Sequence, residues 1–311
     1  MLKIPEIKFN RSVKESNVEV NALCDWLEAC TLFDEREITK SDVVDILLEN
    51  QVCTDENQDL AHLIADEGWD EFTRRKRWGG VPDHVEIGAT RITSTVPWTE
   101  EPIRAFLVML SIQRIFPDWA QERQAHVVQG NLFEKVVEII CPAIFPGWTT
   151  YRAGWSPENT KKIPLIVPEL CSRLSMRGAA DLNEWIRPAD NDGGLDLVVY
   201  RTFQDEREGL PLYLLQCASG KNWREKVATP NSKAWLKYLN AAVEPSTGIV
   251  APFVIDDFDL RRGALYGQAI VIDRIRLLSA ARAGNITLGA GLLDELSAWL
   301  TPRVDALPKA A

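Results

Sequence analysis

Two neighbouring segments of the sequence, NDGGLDLVVY (residues 191–200) and PLYLLQCASGKNW (residues 211–223), decide the fold class. Each segment leads from turn-forming residues into a short apolar run, which is typical of a buried strand. The polar stretch between them predicts a connection between two adjacent strands. Asp196 stands at the start of the first apolar run, where an unpaired carboxylate is costly, and Gln216 ends the second. These two polar residues are therefore the first candidates for a functional site.

The segments on either side extend this pattern. Residues 126–146 have the apolar spacing of a helix, and residues 147–155 (GWTTYRAGW) are typical of a strand. Residues 221–243 predict a helix, a break and a second helix, and residues 247–257 predict a further strand. Helical segments are expected to finish the chain. The order helix, strand, strand, strand, helix, strand predicts an α/β fold with one mixed sheet and helices on its faces.

Residues 1–120 have a different character. Most of their apolar residues recur at helical spacing, whereas residues 79–98 contain Gly, Pro and β-branched residues that predict a loop with one or two short strands. We therefore expect a mostly α-helical N-terminal domain over residues 1–120 and a second domain over residues 121–311.

The composition is typical of a soluble globular protein, with 46% apolar and 26% charged residues. The net charge of −10 argues against a protein that coats nucleic acid non-specifically, although a locally basic groove remains compatible with it. Six scattered cysteines and only three histidines argue against a structural zinc site. No apolar run approaches the ~20 residues that span a bilayer, and the chain start lacks the apolar core of a secretory signal. We expect a cytoplasmic protein with no membrane partner.

The polar residues of the two central segments are suited to binding a hard divalent cation. Such ions assist phosphodiester hydrolysis because they polarise the phosphoryl oxygen and acidify a bound water. Mg²⁺ prefers oxygen ligands and retains several waters, so a carboxylate, an amide oxygen and a backbone carbonyl suffice. Asp196, Gln216 and the carbonyl of Cys217 can supply them, and Lys221 can orient the attacking water.

A second carboxylate precedes these segments. Glu134 is expected at the margin of the apolar face of the helix over residues 126–146, from which it can point toward the sheet. Glu138, one turn later, remains an alternative. Ordinary loop or strand-exit positions account more simply for four further acids: Asp192, Asp205, Asp256 and Asp257.

These residues resemble the PD-(D/E)xK nuclease superfamily, which has the restriction-endonuclease-like fold. The resemblance rests on DGGLDLVVY followed by YLLQCASGKNW, as in branches that carry a D…Q pair, and on GNLFE upstream. The family core, α-β-β-β-α-β with a mixed sheet, matches the order predicted above. The resemblance covers roughly residues 121–311 and says nothing about residues 1–120, for which contact with a partner or nucleic acid is the expectation.

The resemblance implies a Mg²⁺-dependent endonuclease, with Mn²⁺ as a substitute, that hydrolyses DNA phosphodiester bonds in restriction or anti-phage defence. Asp196, Gln216, Cys217 and Glu134 would bind the metal, and Lys221 would position the nucleophilic water. The acidic net charge suggests a protein partner, such as a helicase or sensor subunit, that supplies DNA affinity or restrains the activity. Self-association into a homo-oligomer is a further expectation.

One position departs from the family pattern. The family lysine usually lies two positions after the Glu or Gln, where this chain has Ala218. In some members the lysine has moved to the following helix, so Lys221 is the candidate, with Lys226 beyond it. The alternative is a catalytically inactive member of the same fold that binds DNA or a partner. The sequence leaves open DNA versus RNA, strand and sequence preference, oligomeric state and activation trigger.

The most basic run of the chain is RRKRW, residues 74–78. Arg and Lys side chains neutralise phosphates, and a tryptophan can stack on a base. The candidate nucleic-acid contacts are therefore the basic residues of this run and one lysine from the second domain: Arg74, Arg75, Lys76, Arg77 and Lys226. A solvated basic end of a helix is the competing interpretation of the run, because cations are favoured near helix C-termini.

Overall fold

The computed structural model of the protein describes residues 1–5, 9–10, 17–34, 37–121, 126–154, 161–187, 191–205, 207–220 and 222–310. The strands are β1 (Phe9–Asn10), β2 (Asn17–Val18), β3 (Glu37–Thr39), β4 (Val85–Ile87), β5 (Arg91–Ser94), β6 (Thr149–Arg152), β7 (Leu197–Tyr200), β8 (Leu212–Cys217), β9 (Ser246–Val250) and β10 (Ala269–Ile272). The helices are α1 (Val20–Phe33), α2 (Lys40–Glu49), α3 (Gln58–Arg77), α4 (Pro102–Ile112), α5 (Pro117–Gln121), α6 (His126–Ile144), α7 (Ile163–Arg173), α8 (Leu182–Trp185), α9 (Ser232–Leu239), α10 (Asp257–Gly267), α11 (Arg274–Ala283) and α12 (Ala290–Asp305). Short 3₁₀ turns lie at Asp55–Asn57, Trp98–Glu100 and Trp223–Lys226.

The central sheet has five strands in the order β10-β9-β8-β7-β6. Strand β7 is antiparallel to both of its neighbours, β6 and β8, whereas β8, β9 and β10 are parallel to one another. The expected α/β class with a mixed sheet is therefore confirmed, and α6, β6, β7, β8, α9 and β9 occur in the predicted order, with α7 and α8 inserted between β6 and β7. Helices α11 and α12 finish the chain as expected, but the sequence did not reveal β10, which adds a parallel strand beside β9.

Strand β7 is apolar throughout because both faces of the sheet are covered. Leu197 and Val199 point into the main hydrophobic core, whereas Val198 and Tyr200 point into a second cluster on the opposite face. Successive strand residues alternate between faces, so a strand buried on both sides needs an unbroken apolar run. The main core lies on the α6 side of the sheet, and the second cluster is formed with α7 and α9.

The N-terminal residues are mostly helical, as predicted, and β4 and β5 are the short strands expected between residues 79 and 98. They belong to an antiparallel three-stranded sheet in which β5 lies between β4 and β3. The sequence did not reveal β3. The main core continues across residue 120, since Trp26 and Phe106 share it with Phe133 and Trp299. The division into two domains at residue 120 stays a prediction.

Helix α1 carries two buried acids that join distant parts of the chain. Asp25 accepts hydrogen bonds from Arg75 at 2.7 Å and from Arg274 at 2.8 Å. Glu28 accepts from Arg104 at 3.0 Å and from Arg274 at 2.9 Å. Because each carboxylate faces two guanidinium groups, the desolvation of these charges is offset by pairing. This network ties α1, α3 and α4 to the start of α11.

The expectation that Arg75 contacts nucleic acid is contradicted. Its side chain is only 1% exposed and is held by Asp25, Glu71 and Asn21. A guanidinium enclosed in this way cannot reach a phosphate. The periodicity of α3 could have shown this, because Arg75 follows Phe72 by three residues on the same buried helical face.

Within the described residues, no helix combines the length and apolar character needed to cross a bilayer.

The buried network makes a prediction about stability. Substituting Glu28→Ala should lower the free energy of unfolding by about 3–5 kcal/mol, because Arg104 and Arg274 each lose a buried counter-charge. The matched control Glu295→Ala removes only the exposed partner of Lys135, 2.8 Å away, and should cost less than about 1 kcal/mol. Urea denaturation measures both values. Equal losses in the two variants would contradict the account.

Candidate active site

Asp196 is placed by a glycine turn at the start of β7. Gly193 and Gly194 both have positive φ, 65° and 73°, a conformation that residues with a Cβ rarely adopt. The Asp196 amide donates to the Leu215 carbonyl at 3.0 Å, and its Oδ2 accepts from the Cys217 amide at 2.6 Å. The predicted approach of Asp196 to the end of β8 is therefore present in the structure.

Glu134 reaches the same place from helix α6. A Cβ atom built on Gly154 would lie 2.9 Å from the carboxyl carbon of Glu134 and 3.2 Å from the Cα of Asp196. A side chain at position 154 would therefore collide with the Glu134 carboxyl group and crowd the backbone of Asp196. Glu134 is 8% exposed, and within the described part of the chain its Oε2 has no hydrogen-bond partner. A buried polar atom without a partner is costly in an ordinary core, and this oxygen is available to accept a hydrogen bond or bind an ion.

The chain after β6 is bulged at this point. The amides of Ala153 and Gly154 both donate to the Asp196 carbonyl, at 2.8 and 2.9 Å, so two residues of one chain segment face one residue of the other. Such bulges re-aim side chains and are frequent beside active sites. The bulge puts the Gly154 backbone under the Glu134 carboxyl group.

Gln216 lies near the end of β8, beside the glycine turn, and its Nε2 would be 3.4 Å from a Cβ on Gly194. The Thr229 hydroxyl contacts Gln216 Oε1 and lies 2.7 Å from the carbonyl of Lys226. Thr229 therefore orients the amide and ties the 3₁₀ turn Trp223–Lys226 to the strand end. Neither role could be read from the sequence, because Thr229 follows Gln216 by 13 residues.

The charge of Lys226 acts on Asp196, one of these two acids. Lys226 is half-buried and close enough to Asp196 for its ammonium group to lower the pKa of that carboxyl. Lys221 lies outside the described residues, so its predicted role stays a prediction. The charge of Arg152 lowers the pKa of Glu134. The Arg152 guanidinium group itself donates to Asn131 at 2.9 Å and lies 3.5 Å from the Glu138 carboxylate.

Burial keeps this site from accumulating negative charge. Burial, with a smaller contribution from Asp192, raises the pKa of Asp196 to about 7, although the Cys217 amide and Lys226 lower it. Burial and the neighbouring Asp196 raise the pKa of Glu134 to about 9. Burial and the same two acids hold the pKa of the Cys217 thiol well above its ordinary value. An added cation would favour the ionised form of both carboxyl groups.

The donors present fit a hard divalent cation. The carboxylates of Asp196 and Glu134, the amide oxygen of Gln216 and the Cys217 carbonyl can supply oxygen ligands. Of these, the Oε2 of Glu134 has no hydrogen-bond partner within the described residues. Within the described chain no cluster of three or more His, Cys, Asp or Glu residues forms a metal site. Because the ligands named above are hard oxygen atoms, they would suit an ion such as Mg²⁺, which keeps water ligands, better than a softer metal.

The other predicted site residues lie apart from the acidic pair or have other partners. Arg74 pairs with Glu71 and stacks on Trp78, 4.9 Å from the ring centre, and Arg77 is exposed. The Lys76 ammonium donates to the Val85 carbonyl at 2.6 Å, which closes the loop after α3. Nucleic-acid contact by Arg74, Lys76 and Arg77 stays a prediction.

A cavity of about 730 Å³ lies elsewhere, between the start of α4 and helices α11 and α12. Its walls are mostly apolar and include Ile103 and Leu278. None of the polar residues of the acidic site line it. The candidate site is instead defined by its chemistry, at the margin of the sheet.

Comparison of the chain with protein-family models, curated proteins and solved structures finds no match.

The raised pKa values predict how stability changes with pH. The pKa values of Asp196 and Glu134 are raised above their ordinary values of 3.8 and 4.5, so the folded protein binds these two protons more tightly than the unfolded chain does. The free energy of unfolding should therefore fall as pH rises from about 4 toward 9. Glu134→Gln imitates the protonated acid. In EDTA it should raise Tm relative to the parent at pH 9 and leave it unchanged at pH 4.

Differential scanning calorimetry across this pH range measures the effect, with the exposed Glu184→Gln as the control. Each kcal/mol gained corresponds to roughly 1.5–2 °C in Tm for a chain of this size. A Glu134→Gln variant that is less stable than the parent at pH 9 would show that the carboxylate is satisfied in the fold.

Proposed function

We propose that the protein is a metal-dependent nuclease of the PD-(D/E)xK type that hydrolyses phosphodiester bonds in DNA. The observation that carries the proposal is the position of the buried Glu134 carboxyl group and the backbone of buried Asp196 at Gly154, with Gln216 at the adjoining glycine turn. The order α6-β6-β7-β8-α9-β9, with the acid at the start of β7 and the amide at the end of β8, supports a restriction-endonuclease-like core.

Asp196, Glu134, Gln216 and the Cys217 carbonyl are the groups that would hold Mg²⁺ or Mn²⁺. When bound, such an ion supplies Lewis-acid polarisation of the phosphoryl group and acidifies a water. Asp196 is fixed for this role by its hydrogen bond from the Cys217 amide, and Gln216 by its contact with Thr229. Rigid placement on strands keeps these oxygens at constant separations.

Glu134 and Lys226 complete the site. Glu134 Oε2 has no hydrogen-bond partner within the described residues, so the ionised carboxylate that a bound cation favours would hold the ion directly or through one of its waters. Lys226 supplies positive charge beside Asp196 and would orient the attacking water or offset negative charge on the phosphate oxygens. Lys221 remains a second candidate for this role.

Position 218 explains why the lysine must come from elsewhere. Ala218 is fully buried and packs in a cluster with Trp223 and Phe253. A lysine at this position would have to enter the apolar cluster, so the family's usual arrangement is not compatible with this packing. The ammonium group of Lys226, on the turn that follows, takes its place in our proposal.

Nuclease assays test the proposal directly. The parent protein with Mg²⁺ or Mn²⁺ should cleave plasmid or single-stranded DNA, and Asp196→Asn and Glu134→Gln should each lower the rate by roughly 10²–10⁴-fold. Asp205→Asn, in the exposed loop between β7 and β8, is the matched control and should retain activity. Equal cleavage by parent and Asp196→Asn preparations would identify a contaminant and refute the assignment.

A second pair of variants separates the two lysines. Lys226→Met should lower cleavage by roughly 10²-fold or more if its ammonium group supplies the transition-state charge. Lys237→Met, which removes a surface ion pair with Asp181, is the control. If Lys221→Met is inactive while Lys226→Met is active, the catalytic lysine is Lys221.

The packing of Ala218 also favours the alternative, a catalytically inactive member of the fold that binds DNA or a partner. That protein would bind nucleic acid yet show no cleavage with either metal, with DNA or RNA, or with a helicase or sensor subunit added. For the catalytically active form, we also propose a role in restriction or anti-phage defence that such a partner regulates.

A further inference from the structure

Helix α10 exposes an unusual amount of apolar surface. Phe258, Leu265 and Tyr266 are 70%, 73% and 73% exposed, higher than the other exposed large apolar residues of the described chain. Exposed groups of large apolar side chains generally mark an interaction site. The question is what covers this helix.

Guanidinium and aromatic groups alternate along the exposed face. Arg262 lies 6.0 Å from the ring centre of Phe258 and 5.4 Å from that of Tyr266, one helical turn away on either side. Arg261 is exposed next to it. We call Phe258, Arg262 and Tyr266 the α10 stack. Flat π surfaces held by a cation are suited to stacking on nucleobases, and the arginines can meet phosphates.

A cavity of about 410 Å³ adjoins the α10 stack. Arg262 and Tyr266 line it from α10, and Trp223 and Val227 line it from the chain that follows β8. This volume lies within the range of about 300–1,000 Å³ that is typical of small-ligand pockets. Arg224 and Asp259 also line the cavity. They form an ion pair at 3.0 Å, so the negative charge of Asp259 is balanced by Arg224.

The cavity and the candidate active site share the chain segment that follows β8. Val227, which lines the cavity, directly follows Lys226, whose charge acts on Asp196, and Thr229 contacts Gln216. Gly267, at the end of α10, packs directly against Val227. A single strand of nucleic acid that leaves the acidic pair along this segment would reach the cavity and then the α10 stack.

We propose that the α10 stack and its cavity bind unpaired nucleobases of a single-stranded nucleic acid on its way to or from the acidic pair. This inference rests on the proposed function for the position of the scissile phosphate. The exposed π surfaces favour single strands, because the bases of a duplex are already stacked.

Fluorescence anisotropy in EDTA tests binding without hydrolysis. Short labelled DNA and RNA single strands, and the matching DNA duplex, are titrated with the full chain. Tyr266→Ala and Arg262→Ala should each weaken single-strand binding roughly 10-fold, while the duplex changes little. Only Arg262→Ala should lower the salt dependence, by about one unit of slope, because stacking releases no counterions.

Phe203→Ala and Arg177→Ala are the matched controls, since both side chains are exposed away from α10. Circular dichroism confirms that all four variants are folded. Binding by Tyr266→Ala and Arg262→Ala that equals binding by the controls would overturn the inference. So would the absence of single-strand binding by the parent, or a parent dimer that Tyr266→Ala converts to monomers, because the helix would then be a protein interface.

Cleavage measured on the same variants with Mg²⁺ separates this inference from the proposed function. If the parent cleaves and Tyr266→Ala binds normally, the stack proposal fails and the nuclease proposal stands. If Tyr266→Ala loses binding and the parent never cleaves, the stack is confirmed and the nuclease proposal fails.

Discussion

The placement of two buried acids beside one glycine is the constraint on which the rest of the site depends. Glu134 and Asp196 meet at Gly154, and the Oε2 of Glu134 gains no hydrogen bond from the described residues around it. Burial and mutual repulsion oppose ionisation of both acids. In the absence of a cation this arrangement lowers the stability of the fold above neutral pH. Such a cost is typical of sites that are shaped for a ligand rather than for stability.

The surrounding fold holds this arrangement in place. Strand β7 is anchored on both faces by apolar clusters, and the Asp196 carboxylate is fixed by a backbone amide of β8. On the other side of the main core, the ion network of Asp25 and Glu28 joins the N-terminal helices to α11, the helix that packs against α6. The helix that carries Glu134 is therefore braced from the sheet and from the N-terminal residues alike.

The sequence revealed the parts of the molecule that depend on local pattern. Apolar runs bounded by turns predicted β7 and β8, and the glycine pair before Asp196 predicted its turn. Strand β10 was missed because four apolar residues are too short a run to separate a strand from a helix. The periodicity of α3 was enough to predict that Arg75 is buried, whereas its pairing with Asp25, an acid shared with Arg274, depends on distant segments. The closeness of Gly154 to Glu134 is likewise a tertiary feature that no spacing shows.

The most direct test of this account is a crystal structure of the protein soaked with Mn²⁺, with anomalous scattering used to locate the ion. The account predicts an anomalous peak bound by carboxylate oxygens of Asp196 and Glu134, with Gln216 and the Cys217 carbonyl at its edge. An Asp196→Asn crystal should lose that peak. A saturating soak that leaves the space between the two acids without a peak, or that places manganese only elsewhere, would contradict the account.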